Sequence, residues 1–315
     1  MPLKPEAQVI VDAASAAFPA LGTEVLDAAV ARRILAARPA VRVDPIPVGR
    51  VEQRSVPGPV GAPEVRVRMY WPVECDADLP VMMFCHGGGF VICDLDSHDQ
   101  LCRAMSNAVG AIVVSVDYRQ APEHRFPAAA EDAYAVLKWI AAQANSFGGD
   151  SARIGVAGDS AGGNLAAVTA LLARDRSGPA IAHQLLVYPM LDPARDAVSY
   201  RENAYGYFVT DDHLRWYWEQ YLASAADADN PYAAPPRAAD LSGLPPAYII
   251  TAEFDPLRDE GEAYGRRLRD AEVEAVTIRY DGQFHGFFSM ADNLPDAEYA
   301  TDQAFSAVRR ALEKS

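Results

Sequence analysis

What most constrains the fold is a series of short apolar strands that do not alternate. Leu79 to Cys85 and residues 111–116 are apolar at almost every position, the pattern of parallel strands covered on both faces. Further strand-like runs follow at 153–157, 184–188, 247–252 and 275–280, and two alternating, half-buried ones precede them at 48–56 and 64–71. Helical periodicity fills most of the gaps, at 101–109, 128–143, 163–174, 258–271 and 297–314. Eight strands alternating with helices predict a mostly parallel sheet with right-handed crossovers.

Two stretches depart from this alternation. Residues 7–18 and 24–36 carry apolar residues at helical spacing ahead of the sheet, joined to it by a proline-punctuated connection at 37–47. Almost sixty residues then separate the strands ending at Tyr188 and beginning at Ala247, too long for a plain crossover. Their aromatic segment 204–222 reads as a helical lid. Residues 1–45 therefore read as helices ahead of the sheet, and the rest of the chain as one domain interrupted by this insertion. Phe90, Phe208, Trp216 and Phe287 are candidate pocket residues, with Tyr217, Trp218 and Tyr221 also on the lid helix. A helix-packing stripe explains any one of the lid aromatics equally well.

The stretch 153–172 carries the chemistry. An apolar strand runs into Gly158-Asp159-Ser160-Ala161-Gly162 and then into an apolar helix, the setting in which G-x-S-x-G forms a nucleophile elbow. The flanking glycines let two backbone segments approach, and the helix start brings amides and a positive dipole end toward a developing oxyanion. A serine at ordinary basicity also needs a base, and the base an orienting acid. Asp255 ends the strand at 246–254, and His285 lies in the glycine-flanked loop after the last strand. Asp259 competes with Asp255 but has a helix-capping explanation; His86 and His124 compete with His285 but do not follow the last strand. Directly after Leu79 to Cys85, His86-Gly87-Gly88-Gly89-Phe90 presents bare amides suited to a second oxyanion donor. No G-K-[ST] follows it and no G-x-G-x-x-G opens a helix, so a phosphate loop is excluded.

Together HGGGF, DYRQAPEHRFPAA (117–129), GDSAGGN, EFDPLRDEG (253–261) and FHGF (284–287) resemble the hormone-sensitive lipase-like, bacterial family IV carboxylesterases of the α/β-hydrolase superfamily. The resemblance extends from about Val48 to the end of the chain. It implies an α/β-hydrolase catalytic domain at 46–315 with a cap built from the amino-terminal helices in 1–45 and the insertion at about 190–240, no cofactor and a small-molecule ester as substrate, and it is compatible with a homodimer. It assigns Ser160 as nucleophile, His285 as general base, Asp255 as its orienter and the amides of Gly88, Gly89 and Ala161 as the oxyanion hole, with His86 a structural partner of its loop. An amidase, carbamate hydrolase or lactonase could use the same triad. Receptors on this fold lack the triad histidine, which is present here.

Charge and composition narrow the partners. A net charge of −15 disfavours nucleic acid and anionic membrane surfaces. The first residues lack a signal-peptide pattern, and no apolar run approaches a bilayer span. The four cysteines, Cys75, Cys85, Cys93 and Cys102, form no C-x-x-C pair and show no zinc spacing, so no metal and a reducing, cytoplasmic setting are expected. Asp211, Asp212, Arg215 and Glu219 among the lid aromatics predict a lid closing over a short pocket, with an acyl optimum near C4 to C8.

Overall fold

The computed structural model describes residues 2–37, 44–74 and 78–313. Cys75, part of the 37–47 connection and Lys314 lie outside the described residues. In chain order the elements are α1 (Pro5–Ala17), α2 (Ala28–Ala36), β1 (Arg50–Val56), β2 (Val65–Trp71), β3 (Leu79–Cys85), α3 (Asp99–Val109), β4 (Ile112–Asp117), α4 (Ala128–Gln143), β5 (Gly149–Asp159), α5 (Ala161–Asp175), β6 (His183–Val187), α6 (Val198–Glu202), α7 (Asp211–Tyr221), β7 (Ala247–Phe254), α8 (Arg258–Asp270), β8 (Ala275–Phe284) and α9 (Pro295–Ala311).

The strands form one sheet in the order β1-β2-β4-β3-β5-β6-β7-β8. β2 runs antiparallel to both its neighbours, and every pair from β4 to β8 is parallel. Parallel pairing explains the composition of β3, β5 and β6, whose central residues are buried on both faces. One apolar layer packs α4, α5 and α8 on the sheet, and the other packs α1, α3 and α9. α2 and α7 join the first layer through Ala28, Ala31, Leu214 and Trp216.

One strand boundary differs from the sequence expectation in a way that matters. β8 does not stop at Tyr280 but continues through Asp281, Gly282 and Gln283 to Phe284. The register between β7 and β8 shifts between Ala252 and Phe254, with Gly282 at φ 75°. The Asp-Gly pair is thus an irregularity inside a strand rather than the start of a loop, a common use of glycine in a sheet. It leaves His285 one residue beyond the strand end. The amide of Lys4, ahead of α1, donates to the Gly282 carbonyl at 3.1 Å, so the amino-terminal segment is docked on this same bend.

Candidate active site

β5 ends at Asp159, and Ser160 turns the chain into α5 with φ 55° and ψ −120°. Few residues other than glycine adopt such a backbone; at about 1–3 kcal/mol it persists only where surroundings over-determine it. Here they do. The Ser160 amide donates to the Val187 carbonyl of β6 at 2.9 Å, and a Cβ at Gly158 or Gly162 would collide with backbone atoms of Gly162 or Cys85. The G-x-S-x-G glycines are thus required by the approach of the elbow to the end of β3.

Parallel strand ends converge on one sheet edge, and the partners of Ser160 come from the next strands along it. His285 Nε2 lies 3.0 Å from Ser160 Oγ, and His285 Nδ1 lies 2.7 Å from Asp255 Oδ2. The Asp255 carboxylate is fully buried; its other oxygen accepts the Leu257 amide at 2.9 Å. That leaves the His285 proton on Nδ1 and a lone pair on Nε2 toward the serine. Asn203, just after α6, donates to the carbonyls of Glu253 and Asp255 at 3.1 Å each, which ties the insertion to the turn that carries the acid.

The competing residues lie elsewhere. Asp259 accepts from the Ser199 amide and pairs with Arg258. His124 is exposed. His86 is buried, stacks on Tyr118 at 4.4 Å and turns Nδ1 to the Gly87 carbonyl at 2.7 Å; burial holds it down to about 4, so it stays neutral at pH 7.

Gly88 and Gly89 have φ 108° and 60°, and a Cβ on Gly89 would fall inside the Tyr217 ring. Among the described residues nothing accepts from the amides of Gly88, Gly89 or Ala161. The loop beyond them is closed by Val91 and Ile92, whose amides both donate to the Gly88 carbonyl. A cavity of about 130 Å³ lies against these groups and is lined by Ser160, His285, Gly88, Gly89, Tyr188, Phe18, Phe208, Leu214 and Tyr217 among others. A larger, open cavity of about 640 Å³ adjoins it, sharing Phe18, Ile92, Cys93 and Phe208.

Of the four expected pocket aromatics, only Phe208 lines the cavity. Phe90 is buried and stacked on Tyr221 at 3.7 Å, which fastens the loop to α7 instead. Trp216 turns toward the amino-terminal segment, where its indole donates to the Leu26 carbonyl at 2.8 Å. Phe287 is buried behind the site between Tyr188 and Tyr280. Phe18 and Tyr217 take their places. Tyr217 was one of several aromatics on the lid helix, and Phe18 carried only the signal of an apolar helix face. Among the described residues no cluster of three metal-ligating side chains exists, and no helix is long and apolar enough to cross a membrane.

A model of the α/β-hydrolase fold family matches residues 82–289. The chain belongs to that family, in its hormone-sensitive lipase-like branch. It is similar to carboxylesterase NlhH of Mycobacterium tuberculosis, 43% identical over 270 residues that cover 85% of this chain and 84% of the relative. Among solved structures it is similar to a hyperthermophilic esterase from the archaeon Pyrobaculum calidifontis, with a TM-score of 0.90 at 40% identity, covering 98% of this chain and 99% of that one. A thermostable esterase from Pseudomonas putida superposes with a TM-score of 0.93 at 35% identity, covering 100% and 99%.

Proposed function

We propose that the protein is a serine carboxylesterase that hydrolyses short- to medium-chain acyl or aryl esters through an acyl-enzyme. The observation that carries this reading is the bridge made by His285, 3.0 Å from Ser160 Oγ and 2.7 Å from Asp255 Oδ2, beside three amides that have no partner among the described residues. Ser160 Oγ attacks the ester carbonyl while His285 Nε2 takes its proton, and Asp255 stabilises the imidazolium that forms. The carbonyl oxygen becomes an oxyanion held by the amides of Gly88, Gly89 and Ala161. The carbon–oxygen bond to the alcohol then breaks, with His285 returning the proton to the leaving oxygen. Water repeats the sequence on the acyl-Ser160 ester and releases the acid.

The family and its esterase members support this class of reaction. In the same reading, residues 1–45 and the insertion at about 190–240 are a cap over the cavity, supported by the packing of Trp216 and Arg215 on the Leu26 and Gly22 carbonyls. A cytoplasmic setting is supported by the unpaired thiols of Cys85, Cys93 and Cys102. A fluorophosphonate should label Ser160 and leave Ser160→Ala unlabelled. Matched p-nitrophenyl ester and p-nitroanilide substrates separate an esterase from an amidase, since equal kcat/KM on the anilide would overturn the ester assignment.

A further inference from the structure

The strand-to-elbow junction holds a second histidine–carboxylate pair. Asp159, immediately before the nucleophile, accepts the Gly87 amide on Oδ1 at 2.9 Å, and His98 Nε2 stands 3.1 Å from that same oxygen. Only glycine fits at 87, because a Cβ there would strike the Asp159 carboxylate. The Gly87 peptide is held on its other end too, by His86 Nδ1 on its carbonyl. His98 precedes α3 and is itself fixed, with Nδ1 2.9 Å from Ser97 Oγ, while Ser97 is locked onto the Asp94 carbonyl and carboxylate. Both His98 and Asp159 line the cavity that contains Ser160.

This placement sets an electrostatic problem. Burial opposes ionisation of Asp159, yet His98 and then the Gly87 amide hold it below the usual carboxylate range, so a buried anion sits in the wall of a site where negative charge must develop. Among the described residues His98 is the basic side chain within ion-pair distance of it. We propose that His98 is a positioning residue for ester hydrolysis: through Asp159 it fixes the Gly87 end of the oxyanion loop and offsets the Asp159 charge where the substrate oxyanion forms. This rests on the esterase reading above.

The test is a two-residue cycle in the full chain, His98→Ala, Asp159→Asn and both together, read as kcat and KM on a p-nitrophenyl ester and as Ki for a boronic acid mimicking the tetrahedral state. His98→Ala should lose about 10- to 100-fold in kcat with KM within about 3-fold, and the boronate should weaken in step. Asn at 159 still accepts the Gly87 amide but carries no charge. The double variant should therefore be faster than His98→Ala alone. A structural role without the charge effect leaves the double variant no faster than His98→Ala, and that result, or a change in KM alone, overturns the proposal. Should His98→Ala fail to fold, the cycle with His98→Gln reads the same quantity, since glutamine brings no charge. Ser160→Ala in parallel separates the two levels: normal turnover there would overturn the esterase reading itself.

Discussion

Two histidine–carboxylate pairs flank Ser160, and they are turned opposite ways. In His285–Asp255 the carboxylate takes one ring nitrogen, and the other faces the serine hydroxyl at 3.0 Å. In His98–Asp159 one ring nitrogen faces the carboxylate and the other a serine fixed in a turn, so neither reaches Ser160. The comparison teaches that the pair of residue types does not make a base. What makes one is a ring nitrogen left for the nucleophile, and that depends on which strand end supplies each partner. His285 leaves β8 directly above the elbow, whereas His98 approaches from the start of α3 behind the oxyanion loop.

The largest break in this comparison should come from the acid of the first pair. Asp255→Asn is expected to lower kcat on the order of 10⁴-fold by losing the orientation of His285, against a far smaller loss for Asp159→Asn. Steady-state rates that fell equally in both would erase the distinction. Gly89→Ala comes next: it forces a side chain into the Tyr217 ring and should displace a proposed oxyanion donor, at about 10²- to 10³-fold in kcat, with Asp255 and His285 untouched.

Histidines with no carboxylate partner supply the third test. His86, His183 and His213 are each held down to about 4, chiefly by burial. Between about 4 and the free-histidine value of about 6.5 the unfolded chain binds more protons than the folded one, so their stabilising contribution is full above about 6.5 and is lost as pH falls toward 4. Each contributes up to about 3 kcal/mol, near 10²-fold in the folding equilibrium. His183 has neither ring nitrogen bonded, so His183→Leu should move the acid unfolding midpoint, followed by circular dichroism, to lower pH.

Smaller effects sharpen what lies between the pairs. The cavity is about 130 Å³, and each methylene it accepts adds about 0.8 kcal/mol, roughly 4-fold in kcat/KM. Rates on p-nitrophenyl esters should climb over the first carbons and fall beyond about C8; a rise continuing into long chains would show a lipase groove. The smallest effect should come from iodoacetamide at pH 7. Cys93 lines the cavity, but burial and then the Asp159 charge push its thiol up to about 12, so turnover should survive the reagent unchanged.

The sheet and the triad candidates could be read from the chain because both rest on local grammar. Non-alternating apolar runs mark parallel strands, and the ends of those strands are where Ser160, Asp255 and His285 stand. The pocket could not be read the same way. Residues of α7 carry aromatic rings around about half of its circumference, and a helical period says which residues share a face but not which part of it meets the cavity. Leu214 and Tyr217, three apart, face it, while Trp216, about a third of a turn away, faces the amino-terminal segment. Phe18 enters from some 140 residues upstream of the serine, a juxtaposition that only the folded chain creates. His98 is not legible in the sequence for a related reason, since nothing in its own neighbourhood announces that Asp159 lies behind it.

The backbone of Ser160, at φ 55° and ψ −120°, has a consequence for selection. Glycine would occupy that position without strain, so Ser160→Gly should make the fold easier to keep while removing the proposed nucleophile. In a library sorted only for heat resistance, this codon would drift toward glycine, and on the proposed mechanism the survivors would be robust, empty containers. The serine therefore persists only under a screen that counts product, and any lineage relieved of the need for hydrolysis inherits a ready-made cavity with a thermodynamic incentive to become a binder.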